Sequence, residues 1–164
     1  MGFVAPLIFA VTLFGLLAIY SQEASVSQIN TTTASHMNYG QSFLAYRNAV
    51  MTYQQNNPSF TGTIPASTIA AMGGFTSTFL SQVSNVVVAT GARNGRAVIC
   101  YGSFGTGAQS IAEQASIASN NDVSFGISNG ATWTSAAVGA STTAIPLATS
   151  IPAGNAVSVI EMDL

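Results

Sequence analysis

The sequence predicts an α+β protein: an N-terminal transmembrane helix and a stalk helix, followed by a small antiparallel sheet with one or two helices packed on it. Three observations predict it. Gly2 to Tyr20 is an apolar run without a charged side chain. Ser21 to Gln55 contains no Pro and spaces its apolar residues near the helical period. From Val86 onward, short β-rich runs alternate with Gly, Asn and Pro turns. The expected organisation is a membrane anchor at 1–20, a helical stalk at 21–57 and an exported α+β domain at 58–164.

At about 1.5 Å of rise per residue the first run makes a helix of roughly 28 Å, close to the hydrocarbon thickness of a bilayer. Phe3, Leu7, Ile8, Leu13, Phe14, Leu17 and Ile19 would face lipid. A cleaved secretory signal fits less well, because no Lys or Arg precedes the apolar run and cleavage after Ala24 would place Gln22 at the third position back. Gly2-Phe3 also has the look of a prepilin processing site. The fifth residue after such a cut should be Glu, and here it is Leu7.

Val26, Ile29, Met37, Phe43, Tyr46, Val50 and Tyr53 continue a helical pattern, which Thr31-Thr32-Thr33 and Gly40 weaken. Either one bent rod or a separate second helix of about 38 to 56 follows, and Asn56-Asn57-Pro58 ends it because the residue before Pro is pushed out of the α region. Ile64-Pro65 opens a short helix that Gly73-Gly74 closes. Asn94-Gly95 between two β-rich runs predicts a two-residue type I′ hairpin. Counting outward, Arg93 faces Arg96, Thr90 faces Ile99, Ala89 faces Cys100 and Val88 faces Tyr101.

Gly105 and Gly107 lead into a helix over Ala108 to Ser119 with Ile111, Ala115 and Ala118 on one stripe. Asn120-Asn121-Asp122 breaks it, and Val123, Phe125 and Ile127 then alternate as a strand does. Beyond Gly130 the chain is rich in Ala, Ser and Thr around Trp133. Ile145-Pro146 and Ile151-Pro152 mark turns or edge strands, and Ala156 to Met162 reads as a closing strand.

With 164 residues, of which about twenty are assigned to the bilayer, one hydrophobic core fits and a second catalytic domain does not. Only 5% of residues are charged, and the three cations are Arg47, Arg93 and Arg96, too few to neutralise the phosphates that nucleic acid presents. Orientation by flanking cations is weakly encoded, though the scarcity of positive charge after the span is compatible with export. Cys100 stands alone, so no internal disulfide is available and the thiol is expected to act as a small buried hydrophobe.

The chemistry of turnover is sparse. His36 is the lone His, with neither a nucleophile-elbow Ser nor an ordered acid beside it in sequence, and reads as a surface or stalk residue. One Cys, one His and five carboxylates scatter without ligand spacing, so neither a metal nor another cofactor is expected. Gly102 to Gly107 lacks the Gly-Lys-Ser/Thr ending of a phosphate loop and reads as a strand-to-helix turn. Asn30-Thr31-Thr32 matches a glycosylation acceptor too short to carry weight alone.

The residues singled out as partner contacts are Phe43, Tyr46, Arg47, Arg93 and Arg96. Arg47 either snorkels along a surface or meets helix-end carbonyls or a carboxylate of another chain. Arg93 and Arg96 form either a solvated hairpin tip or a basic tip for an acidic patch.

Phe43-Leu-Ala-Tyr46-Arg47-Asn48-Ala49-Val50, the stop at Asn57-Pro58, Gly62-Thr-Ile64-Pro65, Arg93-Asn-Gly95-Arg96, Ile145-Pro-Leu147 and Ile151-Pro-Ala-Gly154 together resemble the PilM family of type IVb and conjugative thin-pilus systems. The likeness covers nearly the whole length. It is not a likeness to the actin-like cytoplasmic protein of the same name, which needs about twice this length. The resemblance implies a single-pass inner-membrane protein with a periplasmic C-terminal domain, a non-enzymatic part of the pilin transport apparatus or basal body. Its partners would be other pilus-assembly or secretion proteins, with a homo-oligomer left open. The rival readings are a minor pilin or pseudopilin incorporated into a filament, and an exported hydrolase using Cys100 or His36.

Overall fold

A helix and a sheet each present one apolar side that must be covered, and here each covers the other. The structure, a computed structural model, describes residues 35–91 and 95–162. The expected anchor with Phe3, Leu7, Ile8, Leu13, Phe14, Leu17 and Ile19, the first part of the expected stalk, and Arg93 with Asn94 lie outside the described residues.

Helix α1 spans 35–56. It stops where expected, with Asn57 Nδ2 donating to the Tyr53 carbonyl at 2.9 Å and the Asn57 N–H to the Gln54 carbonyl. Rather than standing apart as a stalk, α1 belongs to the compact unit that runs from His36 onward. Phe43, Tyr46, Val50 and Gln54 are its buried side. Gly40, which weakens the helix in sequence terms, has a use in packing: a Cβ there would come within 2.6 Å of Gln114 Cβ and 3.0 Å of the Ala115 nitrogen. α1 and α4 (Ala108–Ala118) therefore cross backbone to backbone at Gly40.

Pro65 precedes α2 (Ala66–Met72), Gly73 follows it, and α3 (Ser77–Leu80) is capped by Thr76, whose hydroxyl accepts from the Phe79 N–H at 3.2 Å. A 3-10 turn at Gly105–Gly107 feeds α4. In α4 the buried side is Ala108, Ile111, Ala112, Ala115 and Ser116, while Ala118, expected on that stripe, is exposed. The break after it is a pair of left-handed residues, Asn120 (φ 64°) and Asn121 (φ 61°), a conformation Asn tolerates better than most side chains.

The strands are β1 (Val83–Ala89), β2 (Arg96–Gly102), β3 (Phe125–Ser128), β4 (Gly130–Ser135), β5 (Ile145–Ile151) and β6 (Ala156–Met162). They form one six-stranded sheet in the order β1-β2-β6-β3-β4-β5, and every adjacent pair is antiparallel. The last strand in sequence is thus an inner one, joining the β1-β2 hairpin to β3-β4-β5. Its Ala156, Val157 and Ser158 are all buried, as a strand covered on both faces requires.

The β1-β2 register corrects the turn-based expectation. Cys100 opposes Asn85 rather than Ala89, a displacement of four residues, and Arg96 opposes Ala89 rather than Arg93. Four is even, so each side chain keeps its expected face while its partner changes. The strands end at Ala89 and Arg96, with the Thr90 N–H donating to the Gly95 carbonyl at 2.9 Å, and residues 92–94 between them lie outside the described residues. Pairing of β2 with β6 over its whole length and of β1 with Gly62 outweighs the local Asn-Gly preference.

Two apolar clusters result. The larger joins Phe43, Tyr46 and Val50 of α1, Ile111, Ala112 and Ala115 of α4, and Val83, Val87, Val98, Cys100, Phe125 and Ala156 of the sheet. The smaller, built from Ile99, Trp133, Ile151 and Val157, covers the other side of the sheet. Trp133 lies against Gly126, where a Cβ would come 2.7 Å from the indole and 2.0 Å from the Thr134 carbonyl oxygen.

Candidate functional site

The residues expected to contact a partner are mostly occupied within the fold. Phe43 is 0% and Tyr46 2% exposed, so neither is available at the surface. Phe43 meets Phe104 and Phe125 edge-on at centroid distances of 5.8 and 5.9 Å, geometry that adds to the burial of large rings.

Tyr46 ends in a buried polar node. Asn85 Nδ2 donates to the Tyr46 hydroxyl at 2.8 Å and to the Ile64 carbonyl at 3.1 Å, while Asn85 Oδ1 accepts from the Ile64 N–H at 2.8 Å. The Asn side chain therefore imitates a neighbouring strand for residue 64 and ties α1 to β1. Burial pushes the Tyr46 phenol up to about 12, so it stays neutral and able to donate over the ordinary pH range. Sequence reading missed Asn85, although a lone amide inside Val83-Ser-Asn85-Val-Val-Val88 is the signal: a polar group on a buried strand needs a partner.

Arg47 finds its carboxylate in this chain and not in another. Its Nη1 donates to Asp122 Oδ2 at 2.5 Å and to Ser124 Oγ at 3.1 Å, and the guanidinium lies 4.6 Å above the Phe125 ring. Asp122 Oδ1 accepts from the Ser124 N–H at 2.9 Å. Burial opposes ionisation of Asp122, but the Ser124 N–H and the Arg47 guanidinium outweigh it and hold the carboxyl below its ordinary value. The result is a clamp between α1 and the α4-β3 connection. Arg96 is half-buried, opposite Ala89 and Met162, with Nη1 donating to the Gly95 carbonyl at 3.0 Å; Arg93 lies outside the described residues.

Cys100 is fully buried, and burial pushes its thiol up to about 12, which removes it as a nucleophile at neutral pH. His36 packs against Gly107, where an added Cβ would come 3.0 Å from Nε2. Among the described residues no group of three or more His, Cys, Asp or Glu is placed to hold a metal ion.

The surface feature that remains is a groove of about 750 Å³ between the outer side of α1 and the α2-α3 connection. Asn38, Gln41, Ser42, Asn48 and Thr52 form one wall, and Met72, Gly73, Gly74, Phe75 and Thr76 the other. Every lining residue is uncharged. The walls offer amides, hydroxyls, methyls and two aromatic rings, Phe75 and Phe79, which can hydrogen-bond and pack but supply no acid, base or thiol. Its residues are far apart in sequence, which is why periodicity alone could not find it.

Fold and groove define a small α+β domain that carries one uncharged, largely polar groove. A family model described as PilM matches residues 9–159, more than nine-tenths of the chain, and the protein belongs to the PilM family. No curated protein and no solved structure matches it significantly. Among the described residues no helix is long and apolar enough to cross a membrane.

Proposed function

We propose that the protein is a non-enzymatic inner-membrane component of a type IVb or conjugative thin-pilus assembly apparatus, a basal-body or pilin-transport scaffold. Residues 1–20 would anchor it and the α+β body would stand in the periplasm, contacting other assembly or secretion proteins. The observation that carries this reading is the extent of the family match, which begins at residue 9, inside the apolar run, and continues to 159 through the body. Part of the run and nearly all of the body thus fall within one match to a pilus-related family.

The body supports a binding role. Of the two residues on which the hydrolase alternative relies, Cys100 is sealed in the core and half-buried His36 packs against Gly107. A reporter active only in the periplasm, fused after Leu164, is expected to be active, together with co-purification of assembly proteins in mild detergent. A reporter active only in the cytoplasm contradicts the placement. Pilus assembly that survives joint replacement of His36 and Cys100 by Ala, as expected, disposes of the hydrolase alternative. N-terminal sequencing that finds Phe3 as the first residue favours the filament alternative.

A further inference from the structure

The groove wall formed by α1 is a row of polar groups fixed on a rigid element. Asn38, Gln41, Ala45, Asn48 and Thr52 are exposed there at spacings of three or four residues, so one follows another at about the 5.4 Å pitch of a helix. Thr52 Oγ1 donates to the Asn48 carbonyl at 2.9 Å, which leaves its lone pairs to accept. Asn48 Oδ1 accepts from Arg47 Nε and Nη2, both at 3.3 Å, which leaves its amide hydrogens to donate. Among the described residues the side chains of Asn38 and Gln41 have no hydrogen-bond partner, so each amide can donate and accept at once.

The opposite wall supplies a ring that cannot swing away. Half-exposed Phe75 stacks on Phe79 at 5.9 Å and 20°, and meets Tyr46 edge-on at 6.0 Å. It also lies against Gly73, where a Cβ would come 2.6 Å from it. Phe79 behind it is only 4% exposed.

We propose that the groove binds an uncharged oligosaccharide, its linked rings laid along α1 and one ring face resting on Phe75. Neighbouring sugar hydroxyls each donate and accept, which is what an amide answers with its N–H and its C=O together. An extended chain of pyranose rings advances by close to one helical turn per ring, so successive rings meet successive turns of α1. The volume of about 750 Å³ is in the range of small-molecule sites.

The recurring ways of holding a peptide fit this groove less well. A docked helix needs an apolar groove, a Pro-rich segment needs a lining of aromatics, an acidic motif needs clustered Arg, and an added strand needs a sheet edge. Here the α1 wall is polar with only Ala45 and Ala49 as apolar members, one ring is half-exposed, no lining residue is charged, and both walls are helices and their connection. A phosphate-bearing ligand would meet no cation. The inference rests on the groove alone and not on the pilus reading.

The test uses the full chain in a detergent whose headgroup is not a sugar, titrated calorimetrically with tetra-N-acetylchitotetraose and with cellotetraose. Saturable binding of at least one is expected. Joint replacement Asn38→Ala and Gln41→Ala should weaken it about tenfold or more through the loss of two hydrogen-bonding side chains. Ala45→Arg should abolish it by filling the groove, and Gln109→Ala, exposed on α4, should leave it unchanged. Circular dichroism should be the same for all, since each of these positions is exposed. Failure of both tetrasaccharides to bind overturns the proposal. So does binding that survives Ala45→Arg, or an uncharged Gly-Ser-Asn decapeptide that binds in the groove more tightly than either sugar.

Discussion

The two ends of the sheet reach the same requirement by different means. At the β1 end a buried amide, Asn85, and the Gly62 pairing close the last strand, and α1 is tied into that closure through Tyr46. At the β5 end no helix or strap is needed to hold the strand inward: Trp133 packs on Gly126, and Ile151 joins Ile99 and Val157 beneath it. The difference teaches where a nearly charge-free chain fixes itself. It fixes the end at which Tyr46 of α1 meets Asn85, and leaves β5 without a strand on its outer side.

Breaking the β1 end should have the largest effect. Asn85→Leu removes the partner of the Ile64 N–H and C=O and of the Tyr46 hydroxyl in a dry interior, and orphaned buried groups cost about 1–3 kcal/mol each. A loss of about 4 kcal/mol in denaturant unfolding is expected from these groups together, with hydrogen exchange rising first in β1 and residues 62–64. An equal rise in β5 would mean that the two ends are not independent.

Gly126→Ala attacks the other end. A methyl placed 2.0 Å from the Thr134 carbonyl must push β4 away, and overpacking of this kind costs about 3 kcal/mol. Loss of Trp133 burial, read by its fluorescence, should accompany it, while β1 keeps its protection.

The Arg47–Asp122 clamp lies between the ends. Arg47→Ala leaves a partly buried carboxylate unpaired and a ring face uncovered, an expected loss of about 2 kcal/mol. Because the folded carboxyl is held below its ordinary value, its contribution is fully present above the unfolded aspartate range near 3.9 and is lost as pH falls through the lower folded value. The stability gap between wild type and Asp122→Asn should therefore be constant from pH 7 to pH 5 and close only in stronger acid. A gap that narrows between pH 7 and pH 5 would contradict the assigned direction. Smallest of all on stability, Ala148→Lys should stay within about 0.5 kcal/mol of wild type, as exposed substitutions do.

Much of the fold was legible in the sequence because local chemistry decides it. Pro65 and Gly73-Gly74 bracket α2, the Asn120-Asn121 pair ends α4, and the closing strand falls at Ala156–Met162. What local chemistry does not decide was missed. Asn94-Gly95 favours a tight turn, but the register belongs to β6 and Gly62, which lie far along the chain. Phe43 and Tyr46 were read as contact residues because an apolar stripe on a helix is the same pattern whether it faces a partner or its own sheet. Arg47 reads in sequence as a snorkelling cation or as one meeting helix-end carbonyls or a carboxylate of another chain, whereas its carboxylate lies in this chain, 75 residues away, and came into view only with the α4-β3 connection in place. The groove and the open edge are properties of surfaces, and no window of sequence contains either.

Hydrogen exchange of the wild-type chain, followed by mass spectrometry, tests most directly whether one edge is closed and the other open. The expected result is slow exchange in β1, which pairs with Gly62 on its outer side, and faster exchange in Leu147–Ser150 of β5, which have no ladder partner on β4. Equal protection of the two strands would contradict the account.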